Sequence, residues 1–181
     1  MVTSKSKSFP RYFFPDENAK TVREIDYELL KKSGFEAVIF DLDNTLALWG
    51  KEELETEALE LLNQVDSLGL NVAVLSNSGK PEIKEFLSGL RFPHLFNAGK
   101  PKSRGFERML DKLEVEAEES VMVGDQLFTD VLGANRLGMY TIMVDPLDPT
   151  REYRFTRLNR LGESLLLRLR DLYRFLRSLT R

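Results

Sequence analysis

The chain has 181 residues, 42% of them hydrophobic, which suffices for one sizeable core but is short for two domains. It contains no cysteine and one histidine, His94, which excludes thiol nucleophiles, disulfides, thiolate metal sites and histidine clusters. Any metal ion must therefore be held by carboxylates, carbonyls and water, the ligands that suit a hard ion such as Mg²⁺.

The net charge of −3 conceals a difference between the two ends of the chain. Residues 151–181 carry nine arginines, no lysine and three acidic residues, hence +6, which leaves −9 for the first 150 residues. We predict a single domain over residues 1–181 with a basic amphipathic segment from about residue 151. Residues 1–14 lack an apolar stretch of signal-peptide type, so we expect a cytoplasmic protein, peripheral at a membrane if the basic segment binds lipid, with an organellar form left open.

Predicted strands and helices alternate along the chain. Apolar runs and their flanking residues predict strands over residues 37–40, 71–75, 120–123 and 140–144 and, more weakly, over 92–98. Three- and four-residue spacings and end signals predict helices over residues 21–32, 51–68, 81–90, 104–113 and 129–137. This alternation predicts an α/β fold, a doubly wound, Rossmann-like parallel sheet whose ligand lies beyond the carboxyl ends of the strands.

Polar residues follow three of these strands directly. The first strand leads into Asp41-Leu42-Asp43-Asn44-Thr45, the next into Ser76-Asn77-Ser78, and a later one into Gly124-Asp125-Gln126, with Asp130 one helical turn further on. Close carboxylates repel one another unless a cation lies among them, so these acids predict a metal site. Lys100, before another helix, adds a fixed positive charge, with Lys102 as the competing lysine.

This combination of residues suits phosphoryl transfer. An anionic nucleophile can approach a phosphate only if charge is neutralised, and Mg²⁺ and Lys100 supply that charge while Ser76 donates a hydrogen bond. Asp41 can then attack to form an aspartyl phosphate. Asp43 can protonate the leaving oxygen and afterwards activate water.

The four segments DLDNT, LSNS, GKP and GDQLFTD, in this order, resemble the four motifs of the haloacid dehalogenase (HAD) superfamily of phosphatases. FDLDNTL, residues 124–131, the GANR run at 133–136 and the arginine-rich end are similar to the YqeG-type branch, which is itself similar to phosphatidylglycerophosphate phosphatases. The resemblance covers roughly residues 14–160. It implies a hydrolase of phosphate monoesters rather than an ATPase or a dehalogenase, because an acid occupies position 43.

The resemblance assigns a role to each matching position. Asp41 is expected to be nucleophile and metal ligand, Asp43 the acid/base with its carbonyl on the metal, and Asp125 and Asp130 metal ligands or holders of the metal's water. The phosphate ligands that the resemblance implies are Ser76 and Lys100. Apart from the resemblance, Asn77 either contributes a backbone donor to the phosphate or is only a turn residue. His94 is interpreted as structural. Trp49 either packs on the core or lies at the site entrance.

No segment is long enough for a cap domain, since residues 45–76 and 76–100 hold little more than one helix each. A capless, open site favours a large or surface-bound substrate. Leucines recur at three and four residues over 158–179, with arginines between them. This segment either packs on its own domain or a second copy of the chain, or lies on anionic lipid with the aromatic and basic residues near the N-terminus; nucleic acid is the least favoured partner.

Three hypotheses follow for the function. The leading one is a lipid phosphate phosphatase, with phosphatidylglycerophosphate as substrate. The second is the same chemistry on a soluble sugar phosphate, nucleotide or phosphoprotein. The third is a binding or regulatory protein whose activity is vestigial.

Overall fold

The computed structural model describes residues 11–48, 54, 56–79 and 91–150. The chain divides into two units, Met1–Pro149 and Thr150–Arg181, so the boundary falls next to the predicted start of the basic segment. The predicted helix over residues 81–90, Trp49 and the basic segment lie outside the described residues. The prediction of a single domain over the whole chain stays a prediction.

Among the described residues, six strands form one sheet in the order β1-β6-β5-β2-β3-β4, and all neighbouring strands are parallel. The strands are β1 Glu17–Ala19, β2 Ala37–Phe40, β3 Asn71–Leu75, β4 His94–Leu95, β5 Ser120–Gly124 and β6 Tyr140–Val144. From β2 the chain first builds outward through β3 and β4, then returns to the other side through β5 and β6. The strand order therefore reverses between β2 and β5, and ligand sites of such sheets lie at this point.

Helices cover both faces of the sheet, as the doubly wound fold predicts. They are α1 Tyr27–Lys32, α2 Thr56–Ser67, α3 Ser103–Leu113 and α4 Leu132–Leu137. Because side chains alternate along a strand, Val38 and Phe40 belong to one core cluster and Ile39 to the other. The first cluster includes residues of α1 and α2, and the second includes residues of α3 and α4. Every residue of β2 is buried, which explains its uninterrupted apolar sequence.

The structure departs from the predicted helices mainly at their starts. The segment predicted as one helix over residues 21–32 is a short 3-10 turn, Val22–Glu24, followed by α1. Asp26 separates them, because its carboxylate accepts a hydrogen bond from the backbone N–H of Leu29 at 2.8 Å and caps the new helix. The predicted helix over 129–137 likewise begins with a π-helical turn, Leu127–Val131.

The segment before β2 is more ordered than the sequence predicts. β1 adds a strand to the sheet edge beside β6. The buried Asn135 amide donates hydrogen bonds to the backbone oxygens of Tyr12 and Phe14, at 2.8 and 2.9 Å, and accepts one from Thr141 at 2.9 Å. The exposed Asp16 carboxylate also accepts from the backbone N–H of Thr141 at 2.9 Å. We call Asp16, Asn135 and Thr141 the N-terminal latch, because they attach residues 12–16 to the sheet.

Within the part of the chain that the structure describes, no helix has the length and apolar character needed to cross a bilayer.

Candidate active site

Three acidic side chains meet at the carboxyl ends of β2 and β5. Asp41 directly follows β2, Asp125 directly follows β5, and Asp130 lies on the π-helical turn after it. One carboxylate oxygen of each lies within 4.8 Å of the others, and all three residues are buried. The structure therefore brings together three of the four acids that the sequence analysis assigned to the metal.

Lys100 reaches this group from the loop after β4. Its Nζ donates hydrogen bonds to Asp41 Oδ1 at 2.6 Å and to the backbone oxygen of Leu75 at 2.7 Å, and it lies 2.7 Å from Asp130 Oδ1. Its competitor Lys102 is exposed just before α3. The geometry thus favours Lys100 as the lysine of the site. We refer to Asp41, Lys100, Asp125 and Asp130 as the acid cluster.

The acid cluster combines three acids with one lysine. Burial raises the pKa of Asp41 well above its usual range; the nearby Lys100 opposes this rise, while Asp130 and Asp125 add to it. Burial alone would lower the pKa of Lys100, but the carboxylates of Asp130 and Asp41 reverse this and raise it above its ordinary value. Lys100 is therefore an ammonium, and three ionised carboxylates would exceed its charge by two.

This excess makes the cluster suitable for a divalent cation. Asp130 Oδ1 is buried and makes no aligned hydrogen bond, although Lys100 lies close to it. A buried anionic oxygen without a hydrogen bond is unfavourable unless it binds an ion or water. The oxygen ligands and the charge excess both match Mg²⁺, and the residues that would hold it are Asp41, Asp125 and Asp130.

Gly124 leaves the space that Asp130 occupies. A Cβ at this position would overlap the Asp130 carboxylate, so a methyl group here and the observed side-chain position are incompatible. The backbone N–H of Gln126 donates to Asp130 Oδ2 at 3.1 Å and fixes the carboxylate from the other side. Gly124 and Gln126 therefore position the Asp130 carboxylate.

Asp43 occupies a different environment from Asp41. Its carboxylate belongs to a half-buried residue and accepts a hydrogen bond from Ser76 Oγ at 3.2 Å. Ser76 is fully buried at the end of β3, and its Oγ also accepts from the backbone N–H of Ser78 at 2.9 Å. Among the described residues, the three grouped carboxylates do not include that of Asp43, whose expected metal ligand is its carbonyl oxygen. Both roles of Asp43 remain predictions.

Asn77 connects two loops of the site. Its side-chain oxygen accepts from the backbone N–H of Lys100 at 2.7 Å, and its Nδ2 donates to the backbone oxygen of Lys100 at 3.0 Å. This reciprocal pair fixes the backbone from which the Lys100 side chain extends. Only the backbone of Asn77 was predicted as a phosphate ligand. The side-chain contact was not predictable, because an Asn after a strand carries no sequence signal for a partner 23 residues away.

Two further polar residues, Thr45 and His94, have different surroundings. Thr45, which the sequence analysis did not assign, is buried with its hydroxyl 3.5 Å from Asp125 Oδ1; its position four residues after Asp41 was the available signal. His94 lies in β4, where its Nδ1 is 3.1 Å from the backbone oxygen of Phe92 and its ring contacts Phe96. This setting agrees with a structural role.

Family models match both halves of the chain. A HAD-hydrolase-like family matches residues 97–146, which include Lys100, Asp125 and Asp130. The mitochondrial PGP (phosphatidylglycerophosphate) phosphatase family matches residues 3–85, which include Asp41, Asp43 and Ser76.

Individual relatives agree with these matches. The chain is 36% identical to the probable phosphatase YqeG of Bacillus subtilis, over 87% of this chain and 91% of that protein. It is 30% identical to phosphatidylglycerophosphate phosphatase 1, chloroplastic/mitochondrial, of Arabidopsis thaliana, over 87% of this chain but only 48% of that one. It thus spans nearly all of the bacterial protein and about half of the plant one.

A solved structure supports the fold. The crystal structure of an uncharacterized protein from Listeria monocytogenes serotype 4b superimposes with a TM-score of 0.52 and 26% identity, over 66% of this chain and 84% of that one. The family matches, the bacterial relative and the parallel sheet with its acid cluster agree with one another. The chain belongs to the HAD superfamily of phosphatases, hydrolases of phosphate monoesters, and within it to the YqeG-type branch.

Proposed function

We propose that this protein is a Mg²⁺-dependent phosphatase that works through a phosphorylated Asp41. The observation that carries the proposal is the acid cluster, in which three buried carboxylates lie together and two of them, Asp41 and Asp130, pair with Lys100. Such a cluster concentrates positive charge from a bound cation and from Lys100 at one point, which phosphoryl transfer to an anionic nucleophile requires.

Asp41, Asp125 and Asp130 would hold the cation, with the Asp43 carbonyl as a further ligand. A bound Mg²⁺ neutralises charge on the phosphoryl oxygens and on the nucleophile. Lys100 adds a second positive charge and hydrogen-bonds Asp41 Oδ1, so it orients the attacking carboxylate. Ser76 and the backbone N–H of Asn77 donate hydrogen bonds to the remaining phosphoryl oxygens.

The first step transfers the phosphoryl group to the protein. A carboxylate oxygen of Asp41 forms a bond to phosphorus, while the bond between phosphorus and the ester oxygen breaks and its electron pair stays on that oxygen. Protonated Asp43 gives its proton to the departing oxygen, so an alcohol leaves and Asp43 becomes a carboxylate.

The second step releases phosphate. The Asp43 carboxylate takes a proton from water as the water oxygen bonds to phosphorus, and the bond between phosphorus and Asp41 breaks. Inorganic phosphate leaves, Asp41 is again a carboxylate and Asp43 is again protonated. Asp41 and Asp43 can carry these two roles because the first is buried beside Lys100 and the second is half-buried beside Ser76.

We further propose phosphatidylglycerophosphate as the substrate. Two observations support this choice: the PGP phosphatase family matches residues 3–85, and the relative in Arabidopsis thaliana is named for that activity. The arginines of residues 151–181 suit contact with an anionic membrane surface, where such a lipid resides. A soluble phosphate monoester processed by the same residues is the alternative.

A substrate panel tests the activity and the substrate together. Wild type and Asp41→Asn are assayed with Mg²⁺ on 4-nitrophenyl phosphate, on phosphatidylglycerophosphate in mixed micelles and on soluble sugar phosphates and nucleotides. We expect the highest kcat/KM on the lipid and no turnover by the variant. Higher kcat/KM on a soluble compound would overturn the lipid proposal alone, whereas activity retained by Asp41→Asn would overturn the mechanism.

Membrane contact has its own test. Arg170, Arg174 and Arg177 are replaced by Gln in the full chain, and flotation with vesicles containing anionic lipid is measured. The matched control replaces Arg104, Arg108 and Lys112, exposed residues of α3, in the same way. We expect only the first set to reduce flotation, and equal reduction by both sets would reject a specific role for the basic segment.

A further inference from the structure

The turn that follows the nucleophile is attached to a distant loop. We call residues 42–47 the catalytic turn, because it contains Asp43, and residues 145–149, which follow β6, the post-β6 loop. The backbone N–H of Leu147 donates to the backbone oxygen of Asn44 at 2.9 Å, and Asn44 Nδ2 donates to the backbone oxygen of Asp148 at 3.1 Å. One residue of the turn therefore makes both bonds, to a loop about 100 positions later in the chain.

Asn44 is buried and has a backbone conformation that few residues other than Asn and Gly adopt readily. Its φ is 62°, in the left-handed region that Asn and Gly tolerate better than other residues. It is only 3% exposed, and its Oδ1 has no hydrogen-bond partner. Exchanging the amide oxygen and nitrogen would place two oxygens against each other at Asp148, so the amide must act there as a donor. The link to Asp148 is thus kept although it leaves a buried acceptor unpaired.

Hydrogen bonds within the catalytic turn determine its shape, whereas hydrogen bonds to the post-β6 loop determine its position. The N–H of Asn44 donates to the oxygen of Ala47 at 2.7 Å, and the N–H groups of Leu46 and Ala47 donate to the oxygen of Leu42 at 3.0 Å. These bonds define the shape of the turn. The two bonds to the post-β6 loop instead fix where that shape lies, because this loop continues directly from β6 and its Asp145 N–H donates to the Lys20 oxygen at 3.2 Å.

We propose that Asn44 is a positioning residue for the acid/base Asp43, acting through its side-chain bond to the post-β6 loop. This inference rests on the proposed function, in which Asp43 protonates the leaving oxygen. Proton transfer requires the carboxyl to be within hydrogen-bond reach of that oxygen, and Asn44 is the adjacent residue of the chain. Loss of the bond to Asp148 lets the turn shift, and Asp43 then protonates the leaving oxygen less effectively.

A pair of substrates that differ in leaving group detects this defect. Phenolate needs protonation more than 4-nitrophenolate does, so poor acid catalysis lowers kcat/KM for phenyl phosphate more than for 4-nitrophenyl phosphate. kcat/KM is the appropriate quantity because it includes the step that breaks the ester bond. A general loss of folded protein lowers both values by the same factor and leaves their ratio unchanged.

The test uses two substitutions at Asn44. Asn44→Gly allows the left-handed conformation and removes the side-chain bond; we expect a fall of about tenfold on phenyl phosphate and about twofold on 4-nitrophenyl phosphate. Asn44→Asp retains the shape and replaces the donor with an oxygen that repels the Asp148 carbonyl, so we expect a larger change in the ratio. Circular dichroism and melting midpoints verify that each variant is folded.

Two controls separate the possible failures. Asn97→Gly makes the same exchange at another left-handed position, where φ is 50°, and we expect an unchanged ratio of the two kcat/KM values. Asp43→Asn removes the acid itself, and we expect the largest change in the ratio. An unchanged ratio in Asn44→Gly, together with a changed one in Asp43→Asn, overturns the role of Asn44. An unchanged ratio in Asp43→Asn overturns the proposed role of Asp43.

Discussion

Two groups of buried polar side chains in this protein differ in how completely their hydrogen bonds are formed. In the N-terminal latch, the Asn135 amide uses its oxygen and both of its hydrogens, and Thr141 joins it to Asp16. In the acid cluster, three carboxylates lie together with one lysine, and Asp130 Oδ1 makes no aligned hydrogen bond although Lys100 Nζ lies 2.7 Å from it. The first group completes its hydrogen bonds within the protein, whereas the second is suited to bind a cation.

This difference shows how buried polar residues with a structural role can be distinguished from buried polar residues with a functional role in this fold. Of the ten buried polar residues in the part of the chain that the structure describes, seven lie at the carboxyl edge of the sheet or in the turns that follow it: Asp41, Asn44, Thr45, Ser76, Lys100, Asp125 and Asp130. Buried groups that complete their own bonds stabilise the fold, and groups that leave charge or an oxygen unsatisfied indicate a ligand. Substitution of the acid Asp41 in the acid cluster should therefore lower activity without lowering stability, and substitution of Asn135 in the N-terminal latch should lower stability without lowering activity.

The largest effect is expected for Asp41→Asn. The amide cannot form the aspartyl phosphate, so kcat/KM should fall by about 10³-fold or more. Because burial and the neighbouring acids disfavour the Asp41 carboxylate, the melting midpoint without metal should not fall. Phosphatase assays and thermal melting measure the two quantities, and a variant that unfolds at lower temperature would place Asp41 with the structural residues.

Lys100→Met should reduce both activity and stability. It removes a phosphate ligand and leaves the carboxylates without their ammonium, so we expect about 10²-fold lower kcat/KM and a loss of about 3 kcal/mol in the metal-free free energy of unfolding. The matched control is Lys102→Met, at an exposed position two residues away. Equal effects of the two substitutions would contradict the choice of Lys100.

Asn135→Ala should act only on stability. Three hydrogen bonds of a buried side chain are lost and two backbone oxygens lose a donor, which should lower the free energy of unfolding by about 2 kcal/mol in urea titrations. At a temperature where the variant is folded, kcat/KM should be unchanged. Asn63→Ala, at an exposed position of α2, is the control with an expected change of about 0.5 kcal/mol or less. A lower kcat/KM in fully folded Asn135→Ala would contradict the distinction between the structural N-terminal latch and the functional acid cluster.

The smallest expected effect is stabilisation by the metal. Mg²⁺ at millimolar concentration should raise the free energy of unfolding of wild type by about 1 kcal/mol, because it binds the folded cluster. Asp130→Asn should abolish this increase, and Asp111→Asn, at an exposed position of α3, should retain it. Melting with and without Mg²⁺ at constant ionic strength distinguishes these outcomes, and equal stabilisation of both variants would place the ion elsewhere.

Much of the fold was predictable because its central strands carry strong local signals. Residues 37–40 and 71–75 form strands with the predicted bounds, since uninterrupted apolar runs of that length suit strands covered on both faces. β1 was missed because Glu17-Asn18-Ala19 has no apolar pattern, and its strand conformation comes from the hydrogen bonds of its partner β6. The start of α1 was missed because a capping Asp interrupts an otherwise helical pattern.

The site was predictable to the level of residue identity and less so in its connections. Residues directly after strands converge because parallel strands end at one edge, so Asp41 and Asp125 could be paired from sequence alone. The amide of Asn77 on the Lys100 backbone and that of Asn44 on Asp148 could not. Such contacts depend on how loops from different parts of the chain approach one another. A single Asn in a loop is not part of a periodic sequence pattern, so the sequence does not indicate its partner.

The position of Asp41 at the end of a central strand limits the direction of attack. Neighbouring strands lie on both sides of β2, and the nucleophile is 4% exposed. Under the proposed mechanism, Asp41 attacks phosphorus from the end of β2. The departing oxygen must then lie on the opposite side of phosphorus, pointing toward solvent. The body of the molecule to which the phosphate is attached would then extend toward solvent.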